Sequence, residues 1–147
     1  MSDLSTYFDK DAGRLQRFYA GSGLLHLADR VARRALLEYF EIVRGALPNV
    51  DGLKIFDAGC GPGIYVSDLA VRGAYVTGAD LSPNMLRVAA ERVAAAGVQD
   101  RVTLRRCDFR EGKPPSPYDV SLAIGVADYL PDAGSLLEPL RGLPTAS

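Results

Sequence analysis

Ile55-Phe56-Asp57-Ala58-Gly59-Cys60-Gly61-Pro62-Gly63 decides how this chain folds. Two bulky apolar residues run into an acid, and three alternate glycines follow. Glycine carries no Cβ, so this loop can turn tightly and a ligand can lie against bare main chain. A helix starting near Ile64 aims its unpaired N–H groups at the same spot, which suits a carboxylate or phosphate. The next apolar strand ends in Gly78-Ala79-Asp80, with the acid 21 residues after Gly59. The end of that next parallel strand is where an acid stands beside a ribose diol.

Working outward, strands and helices alternate. The pattern predicts a strand over Leu53–Asp57 and a helix from Ile64 to Arg72, stopped by Gly73 as C-cap. A second strand covers Ala74–Ala79. Ser82 then serves as N-cap, with Pro83 at the first helical position. That helix is expected to bury Leu86, Ala89/Ala90 and Val93 and to end at Gly97. Strands follow over Arg101–Cys107 and Tyr118–Ile124, separated by the stiff loop Lys113-Pro114-Pro115-Ser116-Pro117. A short helix is expected from Asp132, covering Leu136–Leu140. Upstream, Leu24–Leu47 has helical spacing in Val31, Ala35/Leu36, Tyr39/Phe40, Ile42/Val43 and Ala46/Leu47, and Pro48-Asn49 ends it. Such alternation predicts an α/β fold, a parallel sheet with helices on both faces. One domain is expected over 1–147, made of an N-terminal helical segment (1–50) and a sheet core (51–147).

Composition narrows the function. The 147 residues suit a single domain, and 48% hydrophobic with 24% charged residues is globular in character. A net charge of −1 gives no general pull toward nucleic acid or anionic membrane. No apolar run is long enough to cross a bilayer, and Met1-Ser2-Asp3-Leu4 does not open a signal peptide. The two cysteines, Cys60 and Cys107, make no disulfide framework, so a cytoplasmic setting is expected.

The loop admits more than one nucleotide-like ligand. A dinucleotide fingerprint needs glycine at its sixth position, which here is Ile64. A Walker-type loop needs Gly-Lys-Ser/Thr, which does not follow. The Asp-x-Gly-x-Gly-x-Gly spacing instead resembles the first motif of class I S-adenosylmethionine-dependent methyltransferases. Asp80-Leu81-Ser82-Pro83-Asn84-Met85-Leu86 resembles their ribose-binding acid and following helix. Cys107-Asp108-Phe109 resembles the acid and aromatic that hold adenine. Tyr118-Asp119-Val120 through Asp128-Tyr129-Leu130-Pro131 resembles the fourth strand and its sequel. The likeness runs in order from Leu53 to Asp132.

What the resemblance implies is a Rossmann-like doubly wound sheet and S-adenosyl-L-methionine as cofactor. Gly59, Gly61 and Gly63 would pack against its methionine part, and Asp57 would hold the loop or the ammonium. Asp80, with Leu81 beside it, would accept from the ribose hydroxyls. Asp108 would accept from the adenine amine, with Phe109 alongside. Ile124 and Gly125 would line the region near the methyl. No catalytic base stands out; Asp128 and Tyr129 are the candidates, and no metal site is read. The Asn/Asp-Pro-Pro-aromatic signature of amino-methylating relatives is absent, since the chain reads Ile124-Gly125-Val126-Ala127. That favours O- or C-methylation of a small-molecule acceptor.

Bland readings compete at each point. The loop can be a plain turn, Asp80 a helix cap, Asp108 a surface turn residue. Cys60 reads as a packing residue, because no base adjoins it. His26 reads as a helix-packing or partly exposed residue and Arg105-Arg106 as solvated charge.

One departure from the resemblance matters. The family sheet has seven strands, and this chain continues for only 23 residues beyond Ile124 without an apolar run for a fifth. Strands in the order 3-2-1-4 are therefore expected, with the fourth exposing an apolar edge. A truncated product, a deliberate fragment, or a chain that borrows strands from a partner fits this. A homo-oligomer through the strand-four edge and a non-catalytic cofactor-binding remnant both follow as readings.

Overall fold

The computed structural model describes residues 27–108 and 117–126. Helix α1 spans Leu27–Ala46 and is followed by β1 (Lys54–Ala58), α2 (Ile64–Val71), β2 (Tyr75–Asp80) and α3 (Pro83–Ala96). A short 3-10 turn, Gln99–Arg101, leads into β3 (Val102–Arg106), and β4 is Val120–Leu122. The sheet is parallel throughout, in the order β3-β2-β1-β4. Chain order thus runs outward from β1 to β3 on one side and jumps back to the other side for β4. This reversal between β1 and β4 is where doubly wound sheets open a ligand crevice. The expected 3-2-1-4 arrangement is what the structure has.

Why β1 sits centrally is plain from its sequence. Ile55, Phe56, Asp57 and Ala58 are all buried, which only a strand covered on both faces can achieve. Successive side chains point to opposite faces. Ile55 joins Val50, Val66, Leu69, Ala70, Val76 and Val93 in one apolar cluster, while Phe56 and Ala58 join Ala79 and Tyr118 in another. Phe56 and Tyr118 stack with ring centroids 5.3 Å apart. Burying a side chain such as Ile55 or Leu69 contributes roughly 1.5–3 kcal/mol. Both crossover helices, α2 and α3, lie on the Ile55 face.

The entry to β4 is tied to β1 twice: the Lys54 amide donates to Asp119 Oδ2 (2.7 Å), and the Asp119 amide donates to the Lys54 carbonyl (2.8 Å). Outside the sheet, α1 reaches α2 through Phe40 stacked on Tyr65 and Arg44 paired with Asp68. Its buried stripe is narrower than the periodicity suggests. Tyr39 and Ile42 face outward, as does Leu37, and Phe40, Val43 and Leu47 are half-buried. The C-cap of α2 is Arg72 rather than Gly73, whose left-handed φ of 100° turns the chain into β2.

Helix α3 starts and stops as its sequence dictates. Ser82 Oγ accepts from the Met85 amide at 3.2 Å, Pro83 opens the helix, and Gly97 closes it in the left-handed region. Its buried face is rotated from the expected one, with Met85 and Val88 taking the places of Leu86 and Ala90. Met85, Val88, Ala89 and Val93 are buried, Leu86 is half-buried and Ala90 is exposed. Both sets have helical spacing, and docking on α2 selects between them. Ala89, common to both sets, comes close to the start of α2: a Cβ on Gly63 would lie 2.8 Å from Ala89 Cβ and 3.0 Å from Ala89 Cα.

Gly63→Ala should therefore lower unfolding stability by roughly 2–4 kcal/mol, combining overpacking with a left-handed φ. Gly97→Ala, left-handed at φ 69° but facing open space, should cost about 1–2 kcal/mol. Urea midpoints check this, and equal losses would remove the helix contact as the reason for Gly63.

Candidate cofactor site

The turn after β1 is built on one acceptor. The amides of Gly59 and Cys60 both donate to the Ala79 carbonyl, at 2.8 and 2.9 Å, and the Gly63 amide returns to the Cys60 carbonyl at 3.0 Å. Gly59, Gly61 and Gly63 all have positive φ, at 72°, 50° and 73°. Their reasons for lacking a side chain differ. A Cβ on Gly59 would collide with Val126 Cγ1, and one on Gly63 would strike α3. At Gly61 a Cβ would meet nothing within 4 Å among the described residues. Gly61 is thus the glycine whose main chain faces open space, where a ligand can reach it. The N-cap of α2, Gly63, offers no side chain to its first amides.

Two acids flank this turn. Asp80, the last residue of β2, accepts from the Gly61 amide through Oδ2 and from the Ser82 amide through Oδ1, both at 2.8 Å. It is not the cap of α3, because Ser82 fills that role. Asp57 lies one strand over, opposite Gly78 in register, and is 1% exposed. Its Oδ2 has no hydrogen-bond donor among the described residues. Burial first, and the charge of Asp80 second, push its pKa up to about 7. A buried acceptor left unsatisfied costs roughly 1–3 kcal/mol, so this oxygen is a place where a donor would gain.

Cys60 is no nucleophile. Burial, with the charges of Asp57 and Asp80 added, pushes its thiol well up, so it stays neutral. It packs against β2, where a Cβ on Gly78 would sit 3.0 Å from its sulfur.

Most of the residues singled out from sequence converge here. Asp57, Gly59, Gly61, Gly63, Asp80 and Leu81 gather at the C-terminal ends of β1 and β2. The Cys107 amide donates to the Asp80 carbonyl at 3.3 Å, which brings the end of β3 and half-buried Asp108 alongside. Ile124 and Gly125 leave β4 toward the same turn, and Val126 reaches Gly59. Phe109, Asp128, Tyr129 and His26 lie outside the described residues. Arg105 and Arg106 are exposed, and Arg106 Nε donates to the Leu81 carbonyl at 3.3 Å.

Two contributors escaped the sequence reading. Val126 covers Gly59. Arg92 Nε donates to the Pro62 carbonyl at 3.1 Å and holds the loop from the α3 side. Arg92 stands one turn beyond Ala89, so the Gly63–Ala89 contact, once known, points to it.

A family described as a methyltransferase domain matches residues 55–142, and the chain belongs to that family. A ubiquinone biosynthesis O-methyltransferase of Leptothrix cholodnii is 36% identical over 91 residues, 60% of this chain and 38% of that protein. The counterpart from Aeromonas salmonicida is 33% identical over 92 residues, 63% of this chain and 39% of its own length. This chain therefore spans about two fifths of these relatives. Among solved structures, the magnesium protoporphyrin IX methyltransferase of Synechocystis PCC 6803 with bound S-adenosylhomocysteine superposes with a TM-score of 0.80. That likeness is at 25% identity and covers 97% of this chain and 67% of the other. The fold is that of the S-adenosylmethionine-dependent methyltransferases.

The residues present fit such a cofactor. Asp57 Oδ2 is an acceptor without a donor among the described residues, Asp80 is a second carboxylate beside it, and Gly61 leaves open space among the described residues, which suits a ligand bearing an ammonium and hydroxyls. Gly61→Val should abolish cofactor binding, because a branched side chain would fill that space. The fold should persist at a cost of about 1–2 kcal/mol for the left-handed φ. Titration calorimetry paired with thermal unfolding reads both, and normal binding by the folded variant would place the ligand elsewhere.

Proposed function

We propose that this chain is the S-adenosyl-L-methionine-binding part of a methyltransferase acting on a small-molecule acceptor, with O- or C-methylation favoured. The observation that carries it is the buried, donorless oxygen of Asp57 next to the open backbone of Gly61 and the carboxylate of Asp80. The cofactor, when bound, supplies a methyl already activated on a sulfonium. What remains for the protein is to bind, orient and exclude water. Asp80 would take the ribose, Asp108 and Phe109 the adenine, and Asp57 the ammonium. Ile124 and Gly125 would stand near the methyl, and Asp128 and Tyr129 near the acceptor. A hydroxyl acceptor would need a base, whereas a carbon or an already ionised oxygen would not.

O-methylation draws support from the names of the ubiquinone biosynthesis relatives. Among the described residues no helix is long and apolar enough to cross a membrane. We read the protein as acting in the cytoplasm on a small molecule, since a net charge of −1 gives no general pull toward nucleic acid or anionic membrane. A second reading is a cofactor-binding module without turnover.

Transfer of labelled methyl from the cofactor into a metabolite extract decides between them. For the cofactor itself, Asp80→Ala removes a charged acceptor worth about 1.5–3 kcal/mol, so affinity should fall roughly 10- to 150-fold. Unchanged affinity by calorimetry would take Asp80 out of the site, and tighter binding of NAD would overturn the reading.

The outer edge of β4 is unpaired among the described residues. Its strand is Val120-Ser121-Leu122, with no charge to discourage pairing. The chain should self-associate through this edge. Sedimentation at several concentrations checks it, and a stable monomer throughout would count against the edge as an interface.

A further inference from the structure

Asp57 and Asp80 stand at the ends of neighbouring strands, and among the described residues no positive side chain is paired with Asp57. The described arginines of the neighbouring helices are engaged elsewhere. On α2, Asp68 is engaged by Arg44 and Arg72. On α3, Arg92 is bound to the Pro62 carbonyl, and Arg87 to Glu91 and Asn84. Strand β4 brings Val120, Ser121 and Leu122, and the glycine turn brings only the neutral thiol of Cys60. From β2 comes another acid, Asp80, whose carboxylate is already turned to the Gly61 amide. A carboxylate buried in this way cannot keep its charge cheaply, and the small species that can neutralise it is a proton.

The geometry points to an exchange: Asp57 carries a proton in the ligand-free protein and gives it up to solvent when the cofactor's ammonium arrives at Oδ2. The inference rests on the cofactor reading above and adds what the site demands of its ligand. The balance is simple. A neutral carboxyl and a cationic ligand become a carboxylate–ammonium pair and one released proton. The atom that receives the ammonium is the buried oxygen without a donor.

The direction with pH follows. Burial and Asp80 hold the ligand-free carboxyl near 7, so it is protonated below that pH. Proton and ammonium then compete, and affinity should fall as pH drops. Between pH 7 and pH 5.5 the loss should be roughly 15-fold, with about 0.9 proton released per ligand bound at pH 6. Folding obeys the same linkage. A carboxyl raised from its ordinary range takes up a proton on folding, so its contribution to stability is full near pH 4 and is lost as pH rises through 7.

Calorimetry with S-adenosylhomocysteine, in buffers of different ionisation enthalpy, counts the protons. A thioether of adenosine lacking the amino-acid end serves as the comparison ligand. The expected result is proton release and pH-dependent affinity with the first ligand and neither with the second. Asp57→Asn should bind S-adenosylhomocysteine more weakly at pH 7.5, with no proton release and no change in affinity between pH 5.5 and 7. It should also unfold with a shallower pH dependence between pH 4 and 7. If both ligands bind but no proton leaves, the exchange is wrong and the cofactor reading stands. If neither ligand binds at any pH, the cofactor reading itself has failed, and the exchange with it.

Discussion

The carbonyl of Ala79 receives the amides of Gly59 and Cys60, and the carboxylate of the next residue, Asp80, receives the amide of Gly61. These three bonds carry the chain from β1 across the top of β2. They depend on the register that sets Ala58 opposite Ala79. A slip of one residue would reverse the faces of Ile55 and Phe56 and carry Asp80 away from the turn. The burial of β1 on both faces therefore does two jobs. It makes the core, and it places an acid against a glycine backbone.

The same burial creates a local conflict. Asp57 belongs to a strand that is otherwise apolar, and its oxygen faces no donor among the described residues. Hydrophobic contacts on both sides of β1 hold it there against its preference for water. Groups that break the local rule of satisfied burial tend to mark sites, because a ligand can supply what the fold withholds. The donorless oxygen, the neighbouring acid and the open face of Gly61 are three independent signs at one place.

Around this centre the loop is clamped from several sides. Arg92 holds Pro62 from α3, Val126 leans on Gly59 from the segment after β4, and Ala89 presses on Gly63. Preorganising a loop in this way spares a ligand the entropy of ordering it. The contributors come from four separate stretches of chain, so the site exists only when β1, β2, α3 and the end of β4 are docked together.

Sequence alone determined much of this. The glycine run, the acids at strand ends, the Ser82-Pro83 start of α3 and its Gly97 stop are local matters of backbone angle and capping, and each stands where its chemistry predicts. The strand order followed from alternation together with the resemblance. Tertiary structure decided the rest. It chose Met85, Val88, Ala89 and Val93 over Leu86 and Ala90, because two helical stripes one residue apart look alike until a neighbour docks. It divided the three glycines into two hemmed in by packing and one with open space among the described residues, since a missing Cβ says nothing about what stands beside it. It also set the charge of Asp57, because a carboxyl's ionisation depends on the water and charges around it, and these are brought together only by folding.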